Sequence, residues 1–132
     1  MDAQQRSLAE TCQTAAETGA MAFPEILAAL AGGGFEGYLV DYRARTTTYH
    51  LETGEAHAVP LPDHGAVAAA FDAATVAAAV REAQAGGPGY TYRGFSRKVT
   101  AAGCAGYLVT LSGRRVVYFG RTGETHVETF PT

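Results

Sequence analysis

Two stretches of this chain carry the same text 69 residues apart. Gly37-Tyr38-Leu39-Val40 returns as Gly106-Tyr107-Leu108-Val109, and Thr53-Gly54-Glu55-Ala56-His57 returns as Thr122-Gly123-Glu124-Thr125-His126. Between these blocks Arg45 matches Arg114 and Tyr49 matches Tyr118; Gly34 matches Gly103 upstream and Pro62 matches Pro131 downstream. From Gly34 to Pro62, 12 of 29 positions are identical to their partners without a gap. Ordinary composition gives about two such matches by chance. An unbroken register of this kind is the signature of a tandem duplication, and it obliges both copies to form the same unit. We read copy one as residues 1–62, a linker as 63–71 and copy two as 72–132, together making a single domain.

Each copy reads as helix, helix, strand, strand, strand. In copy one, Leu8, Cys12, Ala15 and Ala16 recur at helical spacing and Gly19 ends that helix. Pro24 suits a helix start with Glu25 beside it, Ile26, Leu27 and Leu30 form the apolar stripe, and Gly32-Gly33-Gly34 stops it. In copy two, Asp72 caps a helix carrying Val76, Ala79, Val80 and Ala83, and Ser96 is expected to cap the next. Alternation then sets Tyr38, Val40 and Tyr42 on one strand face and Leu39 and Asp41 on the other. Thr46 to Leu51 and Val116 to Gly120 are rich in β-branched and aromatic residues, and the third strands run 55–61 and 124–130. Three antiparallel strands alone leave an open edge and a bare apolar face. The expected fold is therefore α+β: a tandem duplication of a helix-helix-three-strand unit, pseudo-twofold symmetric, with six antiparallel strands covered by helices.

The long motif Ala101-Ala102-Gly103-Cys104-Ala105-Gly106-Tyr107, followed by residues 113–128 from Gly113-Arg114-Arg115 to His126-Val127-Glu128, resembles the YbcV-like family of small bacterial proteins. Phe23-Pro24-Glu25 with Tyr38-Leu39-Val40-Asp41 extends the resemblance over nearly the whole chain. It implies a bacterial domain of this size and no activity, since the family is described as of unknown function. The label phage envelope protein carried by some members has no counterpart in any membrane or virion element of this sequence.

Composition closes off several classes of function. With 47% hydrophobic and 17% charged residues the chain is globular rather than disordered. No run approaches the ~20 apolar residues of a membrane span, and the start Met1-Asp2-Ala3-Gln4-Gln5 has no basic region before an apolar one. Cys12 and Cys104 form no metal-ligand spacing, and a cytoplasmic protein with reduced thiols is expected. A net charge of −3 argues against nucleic acid. The charge is divided unevenly: residues 1–65 carry three bases and nine acids, and 66–132 carry seven bases and four acids, hence −6 and +3. Arg93, Arg97, Lys98, Arg114, Arg115 and Arg121 make the second half the place for an anion, or merely the half that attracts the first.

Chemistry is sought first where the repeat is charged or titratable. Glu55 and His57 share a strand face, as do Glu124 and His126. If Thr53-Gly54 is a two-residue turn, Glu52 faces Glu55 and His50 faces His57, and in copy two Phe119 faces His126. The bland reading is that Thr-Gly-Glu is turn chemistry. Two His and two Glu could make a metal site or an acid/base pair, but ligands at i and i+2 without a third anchored partner are weak evidence, and no metal and no cofactor is expected. Tyr38, Tyr49, Tyr107 and Tyr118 recur in both copies as core residues or, on the sharper reading, as ligand-binding residues together with Arg114 and Arg121. Cys104 aligns with Phe35 and reads as packing. Three functions are weighed. The first is a small-molecule-binding domain with a cleft between the copies, taking a small anionic or amphipathic ligand. The second is a small isomerase, lyase or hydrolase with His126 or His57 as acid/base beside Glu124 or Glu55. The third is a homodimeric interaction protein without a small-molecule site. A concave polar site holding a histidine marks the first two; a flat apolar patch marks the third.

Overall fold

The computed structural model describes residues 1–130; Pro131, the partner of Pro62 in the repeat, lies outside the described residues. The chain runs α1 (Ala3–Thr18), α2 (Phe23–Gly32), β1 (Phe35–Asp41), β2 (Thr46–Leu51), β3 (Ala56–Pro60), α3 (Ala73–Ala85), α4 (Tyr92–Ala101), β4 (Cys104–Thr110), β5 (Arg115–Gly120) and β6 (Thr125–Thr129). The bounds of α4 and β4 to β6 each lie 69 residues beyond those of α2 and β1 to β3: Phe23 to Tyr92, Phe35 to Cys104, Thr46 to Arg115, Ala56 to Thr125. The fold is α+β, with four helices and one antiparallel six-stranded sheet in the order β3-β2-β1-β4-β5-β6.

Local chemistry sets the helix ends. Asp2 caps α1 by accepting from the Gln5 amide at 2.8 Å, and Gly19 closes it in the left-handed region at φ 78°. Asp72 caps α3 through the Thr75 amide, and Gly86 ends it at φ 59°. Helix α4 corrects the expectation for Ser96. Thr91, not Ser96, is the cap and accepts from the Gly94 amide at 3.0 Å. Gly94 lies in the first turn, where amides have no helical partner anyway, so it does not postpone the start. Ser96 is instead buried inside the helix.

The sheet is joined at its middle by β1 against β4. Leu39 lies opposite Leu108, with Tyr38 opposite Val109 and Val40 opposite Tyr107. The ladder is lengthened by Tyr42 N–H to the Ala105 carbonyl at 3.0 Å and Leu111 N–H to the Glu36 carbonyl at 2.9 Å. One alternation of β1 to β5 feeds the core: Tyr38, Val40, Tyr49, Leu51, Val59, Tyr107, Val109, Val116 and Tyr118 are all buried against helix residues such as Cys12, Leu30, Val76 and Val99.

The hairpins at Thr53 and Thr122 correct the expected register. Leu51 N–H donates to the Glu55 carbonyl at 2.8 Å, and Gly120 N–H to that of Glu124 at 2.9 Å. Each loop therefore holds three residues, with Gly54 at φ 93° and Gly123 at φ 83° in the left-handed place that a three-residue loop requires. The extra residue moves every pairing by one. His57 faces Tyr49 and His50 faces Ala56, while His126 faces Tyr118 and Phe119 faces Thr125. The anticipated pairs His50–His57, Glu52–Glu55 and Phe119–His126 do not form.

The retained glycines of the repeat have a steric reason at the central seam. A Cβ on Gly37 would stand 2.1 Å from the Val109 carbonyl oxygen, and one on Gly106 2.2 Å from that of Val40. Neither backbone oxygen can swing aside without opening the β1–β4 ladder. Gly37→Ala and Gly106→Ala should each destabilise by about 3 kcal/mol or more, read by urea denaturation. Gly32→Ala, where a Cβ meets nothing within 4 Å, should be neutral or mildly stabilising.

Candidate functional site

The repeated histidines are not brought together. They sit on β3 and β6, the two outer strands, about 24 Å apart at the usual strand spacing. His57 Nε2 lies 3.6 Å from Glu10 of α1, an ion-pair distance too long for a hydrogen bond. His126 Nε2 is 2.8 Å from Glu128 on its own strand, with its ring beside Tyr118. The two glutamates serve the turns: the Glu55 and Glu124 amides donate to Thr53 and Thr122 Oγ1, and those hydroxyls donate back to the carboxylates. Glu55 also pairs with the Met1 amino group, which holds its carboxyl below the usual range.

The four repeated tyrosines are core residues, each no more than 7% exposed. Tyr38 packs on Tyr49 and Tyr107 on Tyr118, both at 5.3 Å between ring centres. Arg114 and Arg45 occupy the left-handed region at φ 52° and 57° in the β4–β5 and β1–β2 turns. Their carbonyls accept from Phe130 and Leu61, which gives Arg114 a turn role; its guanidinium lies 5.9 Å over the Phe130 ring. Arg121 donates to the Val67 carbonyl of the linker. A cleft shared by the two histidines and lined by these tyrosines is therefore not the arrangement found.

A different polar cluster lies where the halves meet. His64, in the linker, is 4% exposed and its Nε2 stands 3.0 Å from Glu17 Oε1 in the last turn of α1. The edges of Tyr42 and Tyr92 flank the imidazole, with centres at 6.0 and 5.8 Å. Tyr42 Oη donates to Ser96 Oγ at 3.0 Å, and Tyr92 and Tyr107 share a 2.6 Å hydrogen bond. Nearby, Tyr49 Oη donates to Gln13 Oε1 at 2.8 Å. The linker is held in place by α4, where the Ala68 amide donates to the Thr100 carbonyl at 3.1 Å. The cluster thus draws on α1 and β1 from one half, α4 and β4 from the other, and the segment between them.

His64 Nδ1 and Glu17 Oε2 are buried with no partner in the protein. Thr47 Oγ1 and His57 Nε2 are likewise buried without a partner among the described residues. A carboxylate can only accept, so the proton of a neutral His64 belongs on Nε2 and the lone pair on Nδ1. His64 also lines a surface depression of about 480 Å3 with Asp63, Gly65, Arg97 and Thr100. Asp63 is paired with Arg45 at 3.2 Å, whereas Arg97 makes no ion pair among the described residues. A second depression lies between α1 and α2 around Asp2, Gln5, Leu8 and Gly33, and neither one is lined by His57 or His126.

Other chemistries find less support in the geometry. Among the described residues no three His, Cys, Asp or Glu side chains gather closely enough to hold a metal ion. Cys104 is fully buried, and burial pushes its thiol up to about 11, while burial also raises Cys12. Both thiols are thereby kept from the thiolate that nucleophilic work needs. Among the described residues no helix is long and apolar enough to cross a membrane. No family model matches the chain, and no curated protein does.

Burial raises the phenol of every tyrosine, and Tyr92 reaches about 12. Because the folded state favours the protonated phenols, their stabilising share is complete below the unfolded value of about 10 and is lost as pH rises through the folded values. In an alkaline titration little tyrosinate absorbance should appear at pH ~10. It should rise together with loss of the circular dichroism signal; tyrosinate forming near pH 10 in an intact fold would contradict this burial.

Proposed function

We propose that this chain is a small-molecule-binding domain and that its site is the seam cluster around His64. The observation that carries this reading is the buried Glu17–His64 pair beneath a depression that also presents Arg97. A guanidinium at the rim suits a carboxylate or phosphate. The ligand class supported is accordingly a small anion.

The same reading includes the origin of the chain. We propose a tandem duplication with a pseudo-twofold relation between residues 1–62 and 72–132, supported by the sequence repeat and by element bounds 69 residues apart. In this view the seam exists because two copies met, and the linker made it unequal by adding His64, which has no counterpart within the repeat. A second reading, acid/base catalysis, draws on the same pair: a histidine whose tautomer is fixed by a carboxylate is disposed to take a proton at Nδ1.

Thermal-shift measurements with small hydroxycarboxylates and phosphate esters test the proposal. A ligand at a hundred times its dissociation constant stabilises by about 2.7 kcal/mol, a rise of roughly 8–14 °C for a domain of this size. Arg97 is exposed, so Arg97→Ala should leave the unliganded melting temperature within ~2 °C while removing most of that rise. His64→Gln should abolish it. Equal shifts in wild type and both variants would sink the assignment.

A further inference from the structure

The sheet face turned away from the helices is uncovered, and its register concentrates apolar residues in one row. Thr48 faces Ala58, Leu39 faces both Thr48 and Leu108, Leu108 faces Val117, and Val117 faces Val127. The row Ala58–Thr48–Leu39–Leu108–Val117–Val127 therefore crosses all six strands with one polar side chain in it. Leu108 and Val127 are 40% and 43% exposed, against 7% or less for the inward tyrosines beside them. A solvated antiparallel face ordinarily alternates polar-out. Here the outward positions of the paired ladders carry only two formal charges, Asp41 and Arg115.

Those two charges are placed as a self-complementary pair. Asp41 faces Gly106, one strand from Leu108 and two residues along it; Arg115 faces Thr110, one strand to the other side and two residues the other way. Leu108 is their midpoint. A twofold axis lying in the face, passing through Leu108 and perpendicular to the line from Asp41 to Arg115, sets Leu108 on its own copy and each Asp41 against the other copy's Arg115. An isologous contact needs this relation. Six strands by five residues give a flat footprint of about 500 Å2 per copy, hence about 1,000 Å2 in all, the lower bound for a stable interface.

We propose that the open sheet face is the interface of a homodimer, closed by a second copy of this chain across the Leu108 row. Sedimentation velocity of the full chain at concentrations from ~1 to ~200 µM should show a species of twice 13.8 kDa. Leu108→Lys and, on the edge strand, Val127→Lys each place a charge at an exposed position, so circular dichroism should be retained while dimer dissociation strengthens at least ~30-fold. Arg115→Glu should weaken the dimer at least ~10-fold. A chain monomeric throughout overturns the proposal, as does a dimer indifferent to both lysine variants, which would place the contact at a strand edge or helix face. A dimer indifferent to Arg115→Glu overturns the axis through Leu108.

Discussion

Everything in this molecule depends on the antiparallel pairing of β1 with β4. Each three-stranded half ends at that pairing in a strand that would otherwise be an open edge, with unpaired amides and carbonyls. Joining the two edges makes one six-stranded sheet and places both helix pairs over a common core. The approach is close enough that Gly37 and Gly106 stand against the opposing carbonyls of Val109 and Val40. The second helix of each half also meets residues outside its own half. Phe23 of α2 meets Phe130 beyond β6 edge-on, while in α4 Ser96 accepts from Tyr42 and Tyr92 lies against His64 of the linker.

That crossing leads to the polar cluster. Phe23 and Tyr92 hold equivalent places in the repeat, yet only Tyr92 carries a hydroxyl and only its side of the seam is reached by the linker. His64 and Glu17 enter there, so the seam has one apolar end at Phe23–Phe130 and one polar end at Tyr92–His64. A site built on this asymmetry differs in kind from one built on repeated residues. It needs both halves but uses residues that the halves do not share.

The sequence made some of this legible and hid the rest for identifiable reasons. The 69-residue spacing anticipated strand bounds to within a residue or two, because alternation and turn glycines are local signals. Gly54 and Gly123 were readable as left-handed turn positions, but not the loop length, since Thr-Gly fits a two-residue and a three-residue hairpin alike; that one residue decided which side chains His57 and His126 face. Ser96 suits a cap by residue type, as Thr91 does, and only the position of the first helical turn shows that Thr91 takes that place. Glu17 and His64 were invisible as a pair: they are 47 residues apart, neither is repeated, and His64 lies in a Pro/Gly-rich linker that reads as turn. Only the packing of α1 on α4 brings the linker and both helices to one point.

The central claim is that the β1–β4 seam makes the two halves one cooperative unit. Native-state hydrogen exchange with residue resolution tests it most directly. Amides of β1 and β4 around Leu39 and Leu108 should be the slowest in the molecule, and the core amides of both halves should exchange through the same global opening, with a common free energy and common denaturant dependence. If β4 to β6 and their helices open at a free energy clearly different from that of β1 to β3, leaving the other half protected, the seam does not unite them and the account fails.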